Sequence, residues 1–258
     1  MKINYKALFK ALICNLFLLG VLFILSLFLN VDWNSFRQAT SMPNNAFNEA
    51  IRNGFIRQPW NTISSFFYSL VGFYILFFPL QKENKNKLSI KENKILKNIF
   101  SASLIICGLG SAYLHLSLTY IGQTTDVMGM YLIGVFIILY SFRNKSINFK
   151  KFIIYFIIIN IILFIPLIFL PELRRSLFAL IIFTGLLLEY FCNCKNKNIS
   201  FKYLLISLLI LLVGFIFWII DNNRLFFNPY SFFQGHVIWH LTGSIACYTL
   251  YIHYNKEQ

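Results

Sequence analysis

Two stretches carry most of the residues able to do chemistry. GSAYLHLSLTYIGQTTD, Gly110 to Asp126, sets Ser111 four residues before His115 and Asp126 eleven residues after it, and GHVIWH sets His236 four residues before His240. Residues four apart share a helix face, so each pair can aim two polar groups at one target. Two imidazoles at that spacing and a third from another segment are the usual way to hold Zn²⁺ with one coordination position left for water. Water held there has its pKa lowered to about 7. Asp126 can accept a proton from that water or orient it, and the Ser111 hydroxyl can donate to the oxyanion formed when it attacks a carbonyl. A histidine within a membrane can also serve only as a hydrogen-bond partner for a neighbouring helix, and an H-x-x-x-H pair alone does not separate the two readings.

The elements that must position these residues are membrane helices. The chain has 258 residues, of which 58% are hydrophobic and 12% charged, and a mean hydropathy of +0.65, far from the balance of a soluble domain. Its net charge of +14 sits in short loops between apolar runs rather than on an amphipathic face, so it reads as topology and not as a nucleic-acid surface. The five cysteines are an odd number, mostly inside apolar runs, and imply no disulfide framework. Eight runs reach the length of about 20 apolar residues that a spanning helix needs: roughly 8–30, 62–80, 96–118, 124–142, 152–170, 174–193, 202–221 and 232–253. The first is longer than a signal-peptide core and no A-x-A-like cleavage site follows it, so it is expected to be retained. Pro166 is expected to kink the fifth.

Assigning alternate loops to opposite sides places 17 of the 23 lysines and arginines on one side, which the positive-inside rule makes cytoplasmic. The other side holds Arg37, Arg52, Arg57, Arg174, Arg175 and Arg224. Both termini are therefore expected to be cytoplasmic. The third run then ends outside just after His115, the fourth begins there with Asp126 in its first turn, and the eighth begins there with His236 and His240. Three of the four histidines, with Ser111 and Asp126, reach one depth near the extracytoplasmic face; His253 sits at the opposite end of the last helix. Ionisable groups in lipid are costly and usually mark working sites, which favours the metal reading.

At these residues the sequence resembles a known family. GSAYLHLSLTYIGQTTDVMGMYL, WIIDNNRLFFNPYSFFQGHVIWHLTG and QPWNTISSFFYSLVGFY together are similar to the alkaline ceramidases, a family of membrane hydrolases within a superfamily that includes adiponectin-receptor-like proteins. The resemblance implies an all-α polytopic membrane bundle forming a single domain over 1–258, with a seven-helix hydrolase core at 49–253 and one extra N-terminal transmembrane helix at 8–30. It implies zinc ligation by His115, His236 and His240, with Ser111 and Asp126 in catalysis. Glu49 matches the glutamate of the calcium site found in animal members, but Ala46, Ile51 and Gln58 stand where oxygen-rich ligands belong, and Ca²⁺ takes 6–8 oxygens, so calcium is not expected to be well held. Asn61 and Ser64 match the family and read as helix-capping or interhelical groups; Ser65 replaces the usual asparagine. Asp221 also matches and reads as a residue that tethers a loop.

The expected function is zinc-dependent hydrolysis of an amide C–N bond in ceramide or a related N-acyl lipid, giving a fatty acid and a sphingoid base or amine. The alternatives are a heptahelical receptor or lipid-binding protein with structural zinc, and a hydrolase of another lipid class. The bilayer and a ceramide-like lipid are the expected partners, with no nucleic acid and no protein. The Lys, Asn and Ile bias suggests an AT-rich coding sequence, and with no organelle signal recognised in the sequence a bacterial inner membrane is the expected location.

Overall fold

The computed structural model describes residues 3–40, 47–85, 87–144, 147–196, 199–225 and 228–256. Lys2, Lys145 and Lys197, counted in the charge balance, and Ala46 fall outside them. The described residues form eight helices: α1 (Tyr5–Phe28), α2 (Pro59–Phe77), α3 (Lys94–Ser117), α4 (Tyr120–Tyr140), α5 (Phe149–Phe169), α6 (Arg174–Asn193), α7 (Lys202–Asn222) and α8 (Gly235–Asn255). This is an all-α membrane bundle. By length and composition, six of the eight can cross a membrane. The other two, α2 and α8, fall short because they carry the polar interior: Asn61, Thr62, Ser64, Ser65 and Ser69 on one, and His236, His240 and Ser244 on the other, all buried.

Caps explain where most helices begin. The side chains of Asn4, Asn93, Thr119 and Asn148 each accept from a backbone N–H in the first turn of α1, α3, α4 and α5, satisfying donors that have no partner inside the helix. Because Thr119 starts α4, Asp126 lies about 9 Å along the axis from Tyr120 and not in the first turn. Pro166 sits near the end of α5, which stops at Phe169. All five cysteines are free thiols.

α2 packs against α1, α3 and α8, α4 against α3, α5 and α6, and α7 against α8. Close approach of the inner helices depends on glycine. A Cβ on Gly110 would lie 2.5 Å from the Thr125 carbonyl oxygen of α4, and one on Gly108 would lie 2.8 Å from the Ser69 nitrogen of α2. By contrast α1, α5 and α7 turn most of their surface outward as exposed Leu, Ile and Phe, the surface a lipid-facing helix presents.

The lysine-rich end is tied by a buried ion cluster. Arg143 donates through Nη1 and Nη2 to the two oxygens of Glu189 on α6, both at 2.7 Å, and Nε2 of His253 on α8 lies 2.9 Å from Glu189 Oε1. The side chains of Arg143 and Glu189 are at most 1% exposed, so removing one partner strands the other. Glu189→Ala is therefore expected to cost about 3–5 kcal/mol, read as a lowered unfolding midpoint in detergent.

Candidate metal centre

His115 and Ser111 lie in the last two turns of α3, and His236 and His240 in the first two turns of α8. The fold brings the three imidazoles together: one ring nitrogen from each lies within 4.8 Å of the others. His115 Nε2 is 3.1 Å from His236 Nε2, and Ser111 Oγ is 3.2 Å from His240 Nε2. Asp126 borders the same cavity as Ser111, His236 and His240 and is influenced by the Ser111 hydroxyl, so all five residues singled out in the sequence lie in one region. The three histidines are no more than 5% exposed.

The bonds around the rings assign their tautomers. Gln58 donates its Nε2 to the Glu49 carbonyl at 3.1 Å, which leaves its Oε1, 2.8 Å from His115 Nδ1, to accept that ring's proton. Ser64 donates to the Asn61 carbonyl at 3.1 Å, so its oxygen accepts from His240 Nδ1 at 2.8 Å. Both Nε2 atoms then carry lone pairs aimed inward. His236 has a buried Nδ1 with no partner and its Nε2 turned to the same point. Converging lone pairs repel unless a proton or a cation lies among them, and neutral imidazoles with their outer N–H groups anchored are the donor set of a divalent transition metal. The residues present fit such an ion.

The long α1–α2 connection closes over this centre. Arg57 and Gln58 donate their amides to the carbonyls of Leu116 and His115 at 3.0 and 3.1 Å, Ala39 donates to Leu118 at 3.0 Å, and Tyr120 donates to the Arg37 carbonyl at 2.8 Å. The loop thus pairs carbonyls at the end of α3 that the helix leaves open. Phe47 lays its ring 4.1 Å from His236 and 4.9 Å from His115. Asp221 accepts from the Asn48 amide at 3.1 Å, and the backbone of His236 and Gly235 acts on its carboxylate, so it links the loop to the start of α8 as a negative group near a helix N-terminus.

Glu49, matched in the sequence to a calcium ligand, has a defined structural task. Its carboxylate accepts from the amides of Trp60 and Asn61 at 2.9 and 2.8 Å, capping α2, which starts at Pro59 without a side-chain cap from Gln58. Burial pushes this carboxyl up to about 7, against the opposing pull of the two amides and Arg52. Gln58 is committed to His115.

From the centre a cavity of about 500 Å³ runs between α4, α6, α7 and α8, bordered by Ser111, Asp126, His236, His240 and otherwise chiefly by apolar side chains such as Phe178, Ile182 and Phe215. Gln58, Phe47 and Arg174 belong to the site's surroundings and were not singled out as functional from the sequence. Only a loop folding back onto α3, or a helix seen in place against the cavity, reveals them.

The architecture is that of a membrane helical bundle in which three buried histidines meet at one end of an apolar cavity. The ceramidase family model matches residues 54–256, and the chain belongs to that family. Two Dictyostelium discoideum proteins provisionally named as alkaline ceramidases are similar to it. One, dcd3B, is 27% identical over 225 residues, covering 75% of this chain and 79% of its own length. The other, dcd3A, is 26% identical over 231 residues, covering 75% and 78%.

Two outcomes follow from the geometry. Gln58→Ala and Ser64→Ala each free an imidazole to rotate and are expected to weaken divalent-metal affinity about 10–100-fold, measured by competition with a chromogenic chelator. The second concerns Glu49, whose carboxyl titrates near 7 when folded and near 4.5 otherwise. Folding takes up a proton between those values, so this group's contribution to stability is complete below about pH 4.5 and is lost as pH rises through about 7. Melting curves from pH 5 to 8 are expected to show that decline, flattened in Glu49→Gln.

Proposed function

We propose that the chain is a single-domain integral-membrane amide hydrolase that cleaves ceramide or a related N-acyl lipid into a fatty acid and a sphingoid base or amine, with zinc held by His115, His236 and His240. The observation that carries this reading is the convergence of three imidazoles, two of them anchored through Nδ1, with Ser111 and Asp126 at the end of an apolar cavity. Nitrogen ligands of this kind suit Zn²⁺. Among the described residues the group has no fourth His, Cys, Asp or Glu, which favours a working site with an open position over a closed structural one.

Zinc bound there supplies Lewis acidity and makes a water nucleophilic near neutral pH. The chain's own residues do the rest. Acyl chains lie along Phe178, Ile182 and Phe215, which sets the amide beside Ser111. The Ser111 hydroxyl donates to the carbonyl oxygen as negative charge develops there. Asp126 takes a proton from the attacking water; a C–O bond forms at the amide carbon, the C–N bond breaks, and Asp126 returns the proton to the departing nitrogen. Phe47 keeps bulk water from the rings. The lysine-rich end is read as cytoplasmic, which puts the chemistry near the opposite face of the membrane, a bacterial inner membrane in this reading. Calcium has no part in it.

Purified protein incubated with N-acyl sphingoid lipids is expected to release fatty acid, to lose this on chelation, and to recover it with Zn²⁺ in step with bound metal. Asp126→Asn is expected to lower kcat about 10²–10⁴-fold. Fatty-acid release that persists in His236→Ala would overturn the mechanism.

A further inference from the structure

We propose that Arg174, with Arg175 beside it, forms a subsite for the anionic headgroup of the N-acyl lipid, so that substrates carrying a phosphate, sulfonate or carboxylate near the amide are preferred. This rests on the hydrolase reading for where the amide lies. Arg174 is the first residue of α6, is 3% exposed and borders the same cavity as Ser111, Asp126 and the two α8 histidines. Its Nη1 donates to the Pro171 carbonyl at 2.8 Å, its own carbonyl accepts from the Tyr131 hydroxyl at 3.1 Å, and its Nη2 is buried with no partner. A guanidinium fixed in this way, with an unused donor, is a costly thing to keep in an apolar bundle unless something pairs with it.

The helix below Arg174 says what kind of molecule that is. Phe178, Ile182 and Leu186 also border the cavity, and with Arg174 they step down α6 four residues at a time, forming one face roughly 18 Å long. A cation at the top of an apolar stripe fits a negatively charged head on a hydrocarbon chain. Arg175 stacks its guanidinium 5.2 Å from the Trp218 ring and acts electrostatically on His236, while Arg174 acts on Asp126 and Glu172. Glu172 is exposed, so the acidic group on the cavity side is Asp126. Because Asp126 borders the cavity with Ser111 and also acts on Arg174, the anion is set off from the amide carbon, which fits a headgroup better than the carboxylate formed by cleavage. The six basic residues at this end of the bundle are all arginine, the side chain whose planar fork matches phosphate and carboxylate.

The test compares ceramide with ceramide 1-phosphate of equal acyl length. The wild-type kcat/KM ratio is expected to favour the phosphate at least tenfold, to fall at least tenfold in Arg174→Gln, and to fall less in Arg174→Lys. A general loss of fold lowers both lipids together and leaves the ratio, the quantity read, where it was. Binding of dodecyl phosphate, followed by tryptophan fluorescence and needing no turnover, is expected to weaken at least tenfold in Arg174→Gln, and this holds even if hydrolysis of every lipid fails. Equal ratios in wild type and Arg174→Gln with unchanged dodecyl phosphate binding overturn the subsite. Weakened binding of palmitate with unchanged dodecyl phosphate binding overturns it in favour of a product-carboxylate site.

Discussion

An imidazole lone pair inside a membrane bundle has few places to go, and this constraint organises the protein. Water is scarce there, and an unmatched polar atom costs several kcal/mol. The bundle answers by anchoring the outer N–H groups of His115 and His240 on Gln58 and Ser64, which leaves the inner nitrogens facing each other, the Ser111 hydroxyl or an ion. Both anchors come from the start of α2, so that helix, too polar to count among the apolar spans, is the frame on which the centre is built.

The frame is itself held from outside. Glu49 caps α2 and its carbonyl orients Gln58, which orients His115, so a loop far from α3 in sequence sets the angle of a ring on α3. At the other end the Arg143–Glu189–His253 cluster joins the end of α4 to α6 and α8. Between these polar ends the contacts are chiefly apolar, with buried hydrogen bonds such as Ser69 to Asn15 and Ser207 to the Ala246 carbonyl among them. The bundle is thus pinned at both surfaces and open along one side of its middle, where the cavity lies.

Much of this was legible in the sequence. Apolar run length located all eight helices, and loop parity brought His115, His236 and His240 to one end, because the i, i+4 pair and the end of the third run depend only on helical period and counting. Helix starts were less legible. Hydropathy sees apolar side chains while a helix begins at its cap, so Thr119 moved Asp126 deeper than the apolar run suggested. Glu49 and Gln58 were read as matches or mismatches to a calcium site, since capping of one segment by another eleven residues away is a tertiary event without a local pattern. Arg174 looked like loop charge at the edge of a run; only the cavity beside it gives its position meaning.

α8 supplies two of the three imidazoles and rests against α2 and α7. The order of synthesis therefore matters: until α8 is made, His115 lacks the two rings that it faces in the folded bundle. The three-ring cluster forms only when α8 joins the bundle, so a nascent chain interrupted before α8 carries one ring of the three.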